Sequence, residues 1–413
     1  MAAESKFKGP VWAEVSHAAL LRNLGVIRRH VGKQRKVMAI VKADAYGHGM
    51  APVARTLERA GVEYFGVTST LEGADLRESG IRRPLLLLTG LWPGEEANVL
   101  RAGLTPTVTD VWQLALLDRA AGKLLRSGSR EWSRTKSREH SRNKTRSSRG
   151  RDGRMPFHLK VDTGMNRLGV LPGEVGKFIA AYADCRHLRL EGVFTHFAQA
   201  EVFTNQATEE QQRLLEGALA QLRAAGIDPG LVHLANSAAI ASRPATWADM
   251  VRPGALLYGY HQWYVPPEKR GEMQKKLPLR PVMSLRARVL SLKDVRAGSG
   301  VGYNARFVAE RASRVAVLGA GYAEGVLRLL TNRGKVIIRG RCAPLVGIVS
   351  MDVAMADVTA IPEVQPGDIA TFVGTDPSGG DCVLDASDIA HDIGTVTSDL
   401  LCAINPRVPH YHV

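Results

Sequence analysis

The sequence predicts a TIM-like (β/α)8 barrel followed by a mainly β C-terminal domain, an α/β plus β fold class. Between Glu14 and about Tyr264, eight short apolar runs alternate with helical patterns, which indicates parallel strands joined by helices. The Gly-x-Gly-x-x-Gly fingerprint is absent after the first run, which argues against an open doubly wound sheet. After Pro278 the chain changes to short β-type runs separated by Gly and Pro.

The barrel strands are predicted from apolar runs of three to five residues that are bounded by charged or turn-forming residues. In chain order they are Val37–Val41, Tyr64–Val67, Leu85–Leu88, Pro106–Val108, Phe157–Val161, Leu190–Phe194, Val232–Leu234 and Ala255–Tyr258. Helical patterns in the intervals predict helices at His17–His30, Met50–Ala60, Leu71–Ser79 and Glu209–Ala225.

Five further apolar runs predict the strands of the second domain. They are Val282–Leu292, Ser313–Leu318, Lys335–Ile338, Leu345–Val349 and Ile369–Val373. We therefore place the barrel at residues 12–275 and the β-rich domain at 276–413, and expect the N-terminal segment 1–11 to add a strand to the second domain. At 413 residues the chain is long enough for this plan, since a barrel needs about 250 residues.

A basic segment, residues 124–155, interrupts the barrel between the fourth and fifth predicted strands. Residues 123–154 contain twelve Lys/Arg and three Asp/Glu, so they supply +9 of the formal net charge of +15. The segment is poor in apolar residues, which predicts an inserted, disordered, solvated loop, and loops tolerate insertions at small entropic cost. Binding of RNA, lipid phosphates or an acidic partner is the alternative, and it depends on this segment alone, so we expect no nucleic-acid partner.

The rest of the composition favours a cytoplasmic globular protein. No apolar run reaches the ~18 residues of a membrane span, and the N-terminal residues lack the apolar core of a signal peptide. The chain has four widely separated cysteines without metal-ligand spacing, so we expect buried free thiols and no metal site. They are Cys185, Cys342, Cys382 and Cys402.

The stretch Val41–Gly49, VKADAYGHG, is the most informative in the chain. Lys42 follows the first predicted barrel strand, and the carboxyl ends of such strands are where barrels place their chemistry. A deprotonated lysine amine attacks aldehydes, and partial desolvation lowers its pKa toward that state. Tyr46 follows in a turn rich in hydrogen-bonding groups. Taken alone, Lys42 is as consistent with a solvated surface lysine.

Two more strand ends carry charged groups. HLKVDTGMNRLGV, residues 158–170, places Lys160 and Arg167 after the fifth strand. EGVFTHFAQAE, residues 191–201, places His196 after the sixth. Charged side chains gathered at barrel strand ends indicate a site wall, although a surface salt-bridge cluster or a structural histidine is the alternative for each segment taken alone.

The last two strand ends offer groups that suit a phosphate. HLANSAA, residues 233–239, puts Ser237 at a predicted helix start, where hydroxyl and N–H groups bind anions. VRPGALLYG, residues 251–259, supplies Arg252 and the amides of Gly254 and Ala255. Barrels commonly bind phosphate at their late strands, which fits this location.

These strings, in this order, resemble the alanine racemase family over nearly the whole chain apart from the basic segment. The resemblance implies a racemase that interconverts L-alanine and D-alanine, supplies D-alanine for peptidoglycan and uses pyridoxal 5'-phosphate (PLP). It implies that Lys42 holds PLP as a Schiff base. It also implies that the cofactor phosphate is bound by Tyr46, Ser237, Gly254 and Ala255.

The same resemblance assigns the residues around the ring and the substrate. It implies that Arg167 contacts the substrate carboxylate and the cofactor phenolate oxygen, beside Lys160, which is often carbamylated in the family. It implies that His196 lies over the pyridine ring and that Arg252 faces the ring nitrogen. A guanidinium keeps its proton, so that nitrogen must accept a hydrogen bond, which disfavours transamination and favours reprotonation at Cα.

GVGYNARF, residues 300–307, resembles the family segment that bears the catalytic tyrosine, here Tyr303. The family supplies this tyrosine from the partner subunit, so the resemblance implies a homodimer. It implies two bases, with Lys42 serving D-alanine and Tyr303 serving L-alanine. Three further substrate or entryway positions are implied: Tyr322, Met351 and Asp352.

Two positions depart from the family pattern. Ser398, within TVTSDLLC, stands where the family has a tyrosine, and Ile348 stands where it has an entryway arginine. Both changes remove bulk or charge from the mouth, so a racemase of broader specificity is an alternative. A non-catalytic PLP-binding protein is a further alternative, against which Tyr303 and the second domain argue. Arg252 argues against a fold-related decarboxylase.

Overall fold

The computed structural model describes residues 9–126, 153–377 and 382–413. Within these ranges the chain forms an eight-stranded parallel barrel sheet and a nine-stranded, largely antiparallel sheet, so the predicted fold class is confirmed. The predicted disorder of the basic segment falls on residues 127–152, which lie outside the described residues. At its two ends, residues 124–126 complete a helix and Met155 begins a strand.

The first strand, β1 (Val11–Val15), belongs to the second sheet. The barrel strands are β2 (Lys36–Ile40), β3 (Tyr64–Val67), β4 (Leu85–Leu87), β5 (Thr105–Val108), β6 (Met155–Lys160), β7 (Leu188–Phe194), β8 (Leu231–His233) and β9 (Met250–Val251). The first seven predicted barrel strands are confirmed, with ends within two residues.

The eighth predicted strand is wrong. Residues 255–258 form successive tight turns, in which the Leu257 N–H donates to the Gly254 carbonyl and the Tyr258 N–H to the Ala255 carbonyl. The residues are apolar because the turn is largely buried, and a short apolar run does not distinguish a buried turn from a buried strand. The true eighth strand, β9, directly precedes Arg252.

The helices lie at His17–Val31, Met50–Arg59, Thr70–Glu78, Glu96–Arg101, Trp112–Arg126, Val175–Ala183, Ala207–Ala224, Ser237–Ser242, Glu268–Lys276, Ala386–Asp392 and Thr397–Cys402. Short 3₁₀ turns lie at Pro172–Glu174, Pro244–Thr246, Tyr303–Ala305, Tyr322–Glu324 and Arg328–Leu330. The four predicted helices are confirmed, again with ends within two residues. Among the described residues, no helix has the length and apolarity to span a membrane.

Alternation along the strands separates the barrel interior from the layer beneath the helices. Met38 and Ile40 pack inside the barrel with Tyr64 and Phe194, whereas their strand neighbours Val37, Ala39 and Val41 belong to the main core. In β6 the interior positions are polar, because His158 and Lys160 alternate with the core residues Phe157 and Leu159. The barrel interior is therefore apolar along β2 and polar along β6, with apolar Phe194 of β7 beside the polar residues.

The barrel is nearly closed between β8 and β9. These strands stand at the two ends of the sheet order and do not form a regular ladder. Instead, the Asp249 N–H donates to the Val232 carbonyl at 3.0 Å, and the Arg252 N–H donates to the Ala235 carbonyl at 3.0 Å. These bonds fix the start of the segment that carries Arg252.

The second sheet contains β10 (Met283–Val295), β13 (Ser313–Leu318), β14 (Lys335–Ile338), β15 (Arg341–Pro344), β16 (Ala354–Asp357), β17 (Ile369–Thr375), β18 (Val383–Leu384) and β19 (His410–His412), with a separate hairpin of β11 (Gly300–Val301) and β12 (Phe307–Val308). β1 pairs antiparallel with β10 and parallel with β19. The predicted strand Leu345–Val349 is wrong: Leu345 makes one isolated bridge, and the chain turns at Gly347, whose φ is 75°.

The expectation of four free thiols is wrong for two of them. Cys342 in β15 forms a disulfide with Cys382, which precedes β18. β14 pairs with β15 and β17, and β17 pairs with β18, so the sheet brings together cysteines that are 40 residues apart. That spacing carries no sequence signal. Cys185 and Cys402 are free, as predicted, but neither is buried: Cys185 is half-buried and Cys402 is exposed.

Candidate active site

A cavity of about 510 Å³ opens at the carboxyl ends of the barrel strands. The chain segments that follow β2, β6, β7, β8 and β9 meet there, as the barrel rule predicts. Nine of the thirteen predicted site residues line it. They are Lys42, Tyr46, Lys160, Arg167, His196, Ser237, Arg252, Gly254 and Ala255.

Lys42 begins a turn with unusual backbone geometry. The four residues that follow it, Ala43 to Tyr46, have φ from 50° to 56° and form a left-handed helical turn. Each non-glycine residue in that conformation costs roughly 1–2 kcal/mol, so surrounding contacts must hold the turn. Glu72 accepts from the Ala43 N–H at 2.7 Å, and Asp44 accepts from the Met50 N–H at 2.6 Å.

Ser237, Gly254 and Tyr46 form a small cradle in the wall of the cavity. The Ser237 hydroxyl accepts from the Gly254 N–H at 3.0 Å, and a Cβ on Gly254 would lie 2.5 Å from the Tyr46 hydroxyl oxygen. Glycine is therefore required there for the tyrosine to approach. Burial raises the pKa of Tyr46 to about 12, so its hydroxyl keeps its proton and can donate to an anion.

Lys160 and Arg167 form the cationic wall of the cavity. Burial, followed by the charges of Arg167 and Arg252, lowers the pKa of Lys160 to about 8. Asp162 holds the turn that carries Arg167: its Oδ1 accepts from three backbone N–H groups, and its Oδ2 accepts from the Arg167 N–H at 2.7 Å. Burial would raise the pKa of Asp162, but these bonds outweigh it and the pKa is lowered.

Arg252 is 4% exposed and donates in several directions. It bonds the carbonyls of Thr195 at 2.8 Å, His233 at 2.7 Å and Leu234 at 2.9 Å. It also approaches His196 Nδ1 at 3.2 Å. Because a guanidinium can only donate, that nitrogen accepts, and the His196 proton is on Nε2. Burial, and then the charge of Arg252, lowers the pKa of His196, so the ring is neutral.

The other four predicted residues lie in the second domain, away from the cavity. Tyr303 is 67% exposed and Met351 is 53% exposed, and the side chains of Tyr322 and Asp352 are exposed as well. The Tyr322 N–H donates to the Ser350 carbonyl at 2.9 Å, so Tyr322 lies beside the segment that bears Met351. Asp352 accepts from Arg407 at 2.6 Å. Within one chain, these residues do not complete the cavity.

Ser398 and Ile348, the two departures from the family pattern, lie in different surroundings. Ser398 lines the cavity mouth with Val396, Thr397 and Leu401. Ile348 is buried in the second domain.

Glu72 and Asp162 carry no predicted role, because both act through backbone N–H groups. The capping-box pattern Ser69-x-x-Glu72 was a readable signal for one of them.

The fold and the cavity define a class: a barrel enzyme whose polar site lies at the strand ends and which carries a second, β-rich domain. Family models for the N-terminal and C-terminal domains of alanine racemase match residues 15–262 and 282–412. The chain belongs to the alanine racemase family. The predicted family and the predicted racemase function are confirmed at this level.

Known proteins resemble the chain over nearly its full length. An alanine racemase of Geobacter sulfurreducens is 38% identical over 407 residues, covering 98% of this chain and 97% of the relative. A solved alanine racemase of Clostridium difficile 630 has a TM-score of 0.83 at 29% identity, covering 99% and 97% of the two chains. One from Bartonella henselae, with covalently bound pyridoxal phosphate, has a TM-score of 0.79 at 25% identity, covering 98% and 100%.

Proposed function

We propose that this chain interconverts L-alanine and D-alanine with PLP held covalently by Lys42, supplying D-alanine for peptidoglycan. The observation that carries the proposal is that Lys42 shares one cavity with a hydroxyl-and-amide cradle and a buried arginine. The covalently bound cofactor of the Bartonella henselae relative supports the cofactor assignment.

The residues fit PLP. A cavity of about 510 Å³ has the size of a small-cofactor site. Tyr46 and Ser237 would bind the phosphate with the amides of Gly254 and Ala255, where a Cβ on Gly254 would collide with Tyr46. When bound, PLP supplies the electron withdrawal that makes the substrate Cα–H acidic.

Two arginines would orient the cofactor and the substrate. Arg252 would donate to the pyridine nitrogen, and because it cannot accept, that nitrogen would stay unprotonated, which favours reprotonation at Cα over transamination. Arg167 would bind the substrate carboxylate and the cofactor phenolate oxygen. The lowered pKa of Lys160 leaves some neutral amine at neutral pH, which supports its carbamylation and, as a carbamate, its bracing of Arg167.

Racemisation needs one base on each face of Cα. Lys42 would exchange the Cα proton of D-alanine, and Tyr303 would exchange the Cα proton of L-alanine. Tyr303 lies outside the cavity of its own chain and is exposed, which supports its entry into the cavity of a second copy in a homodimer. The Nε2–H of neutral His196 would then donate to the Tyr303 oxygen and stabilise its deprotonated form.

The same dimer would bring Tyr322, Met351 and Asp352 of one chain to the cavity mouth of the other, as entryway or substrate-carboxylate contacts. Their position beside one another on the exposed surface of the second domain supports this. We propose that the enzyme acts in the cytoplasm.

A racemase of broader specificity is the second candidate. It is favoured by Ser398, which lines the cavity where the family pattern has a tyrosine, because a serine takes up less space than a tyrosine. Comparing kcat/KM for L-serine and L-alanine separates the two candidates. A ratio within about tenfold favours broad specificity, since one added group in a pocket discriminates by roughly 10–200-fold.

The direct test is chiral chromatography of the purified, PLP-loaded protein after incubation with L-alanine. Equal amounts of the two antipodes are expected. Borohydride treatment should fix PLP to Lys42, and Lys42→Ala should abolish both the labelling and the racemisation. The exposed Lys33→Ala is the matched control and should change neither. Labelling at another lysine, or no D-alanine from loaded protein, would overturn the proposal.

A further inference from the structure

A line of buried side chains runs from Arg252 through the barrel interior, away from the cavity. Arg252 Nη1 lies 3.0 Å from His233 Nδ1, and His233 Nε2 lies 2.9 Å from His158 Nδ1. Beyond them, His158 Nε2 lies 3.8 Å from Glu191 Oε2. Both histidine rings are fully buried.

The direction of this line follows from the arginine. A guanidinium only donates, so His233 Nδ1 accepts and its proton is on Nε2. Burial, and then the charge of Arg252, lowers the pKa of His233, so its ring is neutral. Its Nε2–H must therefore donate to His158 Nδ1, which leaves a proton on His158 Nε2. That proton faces the Glu191 carboxylate, and every donor in the line points the same way.

The last gap is longer than the others. At 3.8 Å, His158 Nε2 and Glu191 are too far apart for a hydrogen bond, and Nε2 has no bonding partner within the described residues. The contact is therefore a charge–dipole attraction. Glu191 is also held by Arg189, whose Nη2 lies 3.2 Å from Oε1. Burial would raise the pKa of Glu191, but His158 and Arg189 outweigh it and the pKa is lowered.

Close packing fixes the position of the His158 and His233 rings. A Cβ on Gly192 would lie 2.6 Å from His158 Cε1, so the absence of a side chain at that position makes room for the ring. The Phe194 ring stacks on His233 with centroids 4.7 Å apart. The two imidazoles are therefore held in line by β7.

The electrostatic reason for the line is the burial of Arg252. In the ranges that the structure describes, no carboxylate is bonded to it, and a buried cation without compensation is costly. We propose that His233, His158 and Glu191 are positioning residues. They form a line, here called the relay, in which every donor points away from Arg252. The relay keeps Arg252 charged, so that it donates toward the cavity. The group that Arg252 would face there, the pyridine nitrogen of PLP, rests on the proposed function.

The first test uses the purified full chain as isolated and needs no activity. Nitrogen-15 NMR of the histidine rings, assigned with His233→Gln and His158→Gln, should show both rings neutral with the proton on Nε2. A charged ring, or a proton on Nδ1 of either ring, would overturn the relay. This measurement stands even if the protein does not racemise alanine, so a failure of the proposed function and a failure of the relay are distinguishable.

The second test asks whether Glu191, the residue of the relay farthest from Arg252, affects the reaction. Glu191→Gln keeps the shape and removes the charge. Gly192→Ala would displace His158 and would also crowd the Leu231 carbonyl of β8, so it is a second perturbation of the same ring. In PLP-loaded protein, both should raise half-transamination, in which water releases pyruvate and the amino group of alanine stays on the cofactor as pyridoxamine phosphate. The pyruvate formed per racemisation turnover should rise about tenfold, the scale of losing a supporting partner of a site.

A variant that is only less stable would lose racemisation and pyruvate formation together, so the ratio between them would not change. Glu216→Gln, at an exposed carboxylate, is the control. An unchanged ratio in folded Glu191→Gln would overturn the relay.

Discussion

His196 and Arg252 show how single residues define the chemistry of the cavity. Because Arg252 only donates, it selects the His196 tautomer with Nε2–H free, and burial keeps the ring neutral. A neutral donor over the cavity suits an approaching tyrosine oxygen, whose ordinary pKa near 10 is too high for a base. These two residues therefore suit the proposed approach of Tyr303 from a second chain.

Tyr303→Phe tests that assignment. The variant should bind PLP normally, since it leaves the proposed PLP contacts Lys42, Ser237 and Arg252 unaltered. Racemisation should fall in both directions, because each direction would need both bases. Exchange of the Cα hydrogen in heavy water, followed by NMR, should survive better from D-alanine than from L-alanine. Equal loss for the two antipodes would contradict the assigned faces.

The segments that follow the strands have structure that the sequence reveals only in part. Apolar runs marked β2–β8 because strands buried on both faces read as continuous hydrophobic segments. The apolar run at residues 255–258 predicts a strand but forms a turn, because a buried turn is just as apolar as a buried strand. The left-handed turn after Lys42 was not predictable, because its conformation depends on Glu72 and Asp44 and not on local preference.

The turn that carries Arg167 depends on Asp162, and Asp162→Asn should destabilise it. The amide removes the charge behind four backbone bonds, so we expect a loss of about 1–2 kcal/mol in unfolding free energy near neutral pH. Arg167 should also bind substrate less well, which raises KM.

The pH dependence of this loss has a defined sign. The folded pKa of Asp162 is lowered below the usual 3.8, so its contribution is present above about that pH and is lost as the pH falls through the folded value. Urea unfolding from pH 7 to pH 3 should show the difference between wild type and Asp162→Asn shrinking below about pH 4. A difference that grows on acidification would contradict this role.

At the scale of the whole molecule, the two proposed bases lie in different domains, Lys42 after β2 of the barrel and Tyr303 between β11 and β12. The resemblance points to Lys42 and Tyr303, but no pattern in one chain shows that they meet, because their proposed meeting depends on a second copy. The disulfide between Cys342 and Cys382 was unpredictable for a related reason, since only the sheet order brings those residues together.

Deleting residues 127–152 should leave the enzyme intact. Their composition is too polar to contribute to a core, so racemase kcat/KM should stay within about threefold and PLP loading should not change. Retention on a polyanion column should fall, since the chain loses much of its positive charge. A tenfold fall in kcat/KM, about 1.4 kcal/mol of transition-state stabilisation, in a folded and loaded variant would assign the segment a role at the site.

The central claim is that each working site combines Lys42 of one chain with Tyr303 of another, and subunit mixing tests it most directly. Lys42→Ala and Tyr303→Phe homodimers should each be nearly inactive. After subunit exchange in an equal mixture, half of the dimers are mixed and each contains one intact site, so racemase activity should recover to about one quarter of wild type. No recovery, with exchange demonstrated by mass spectrometry, would contradict a site shared between two chains.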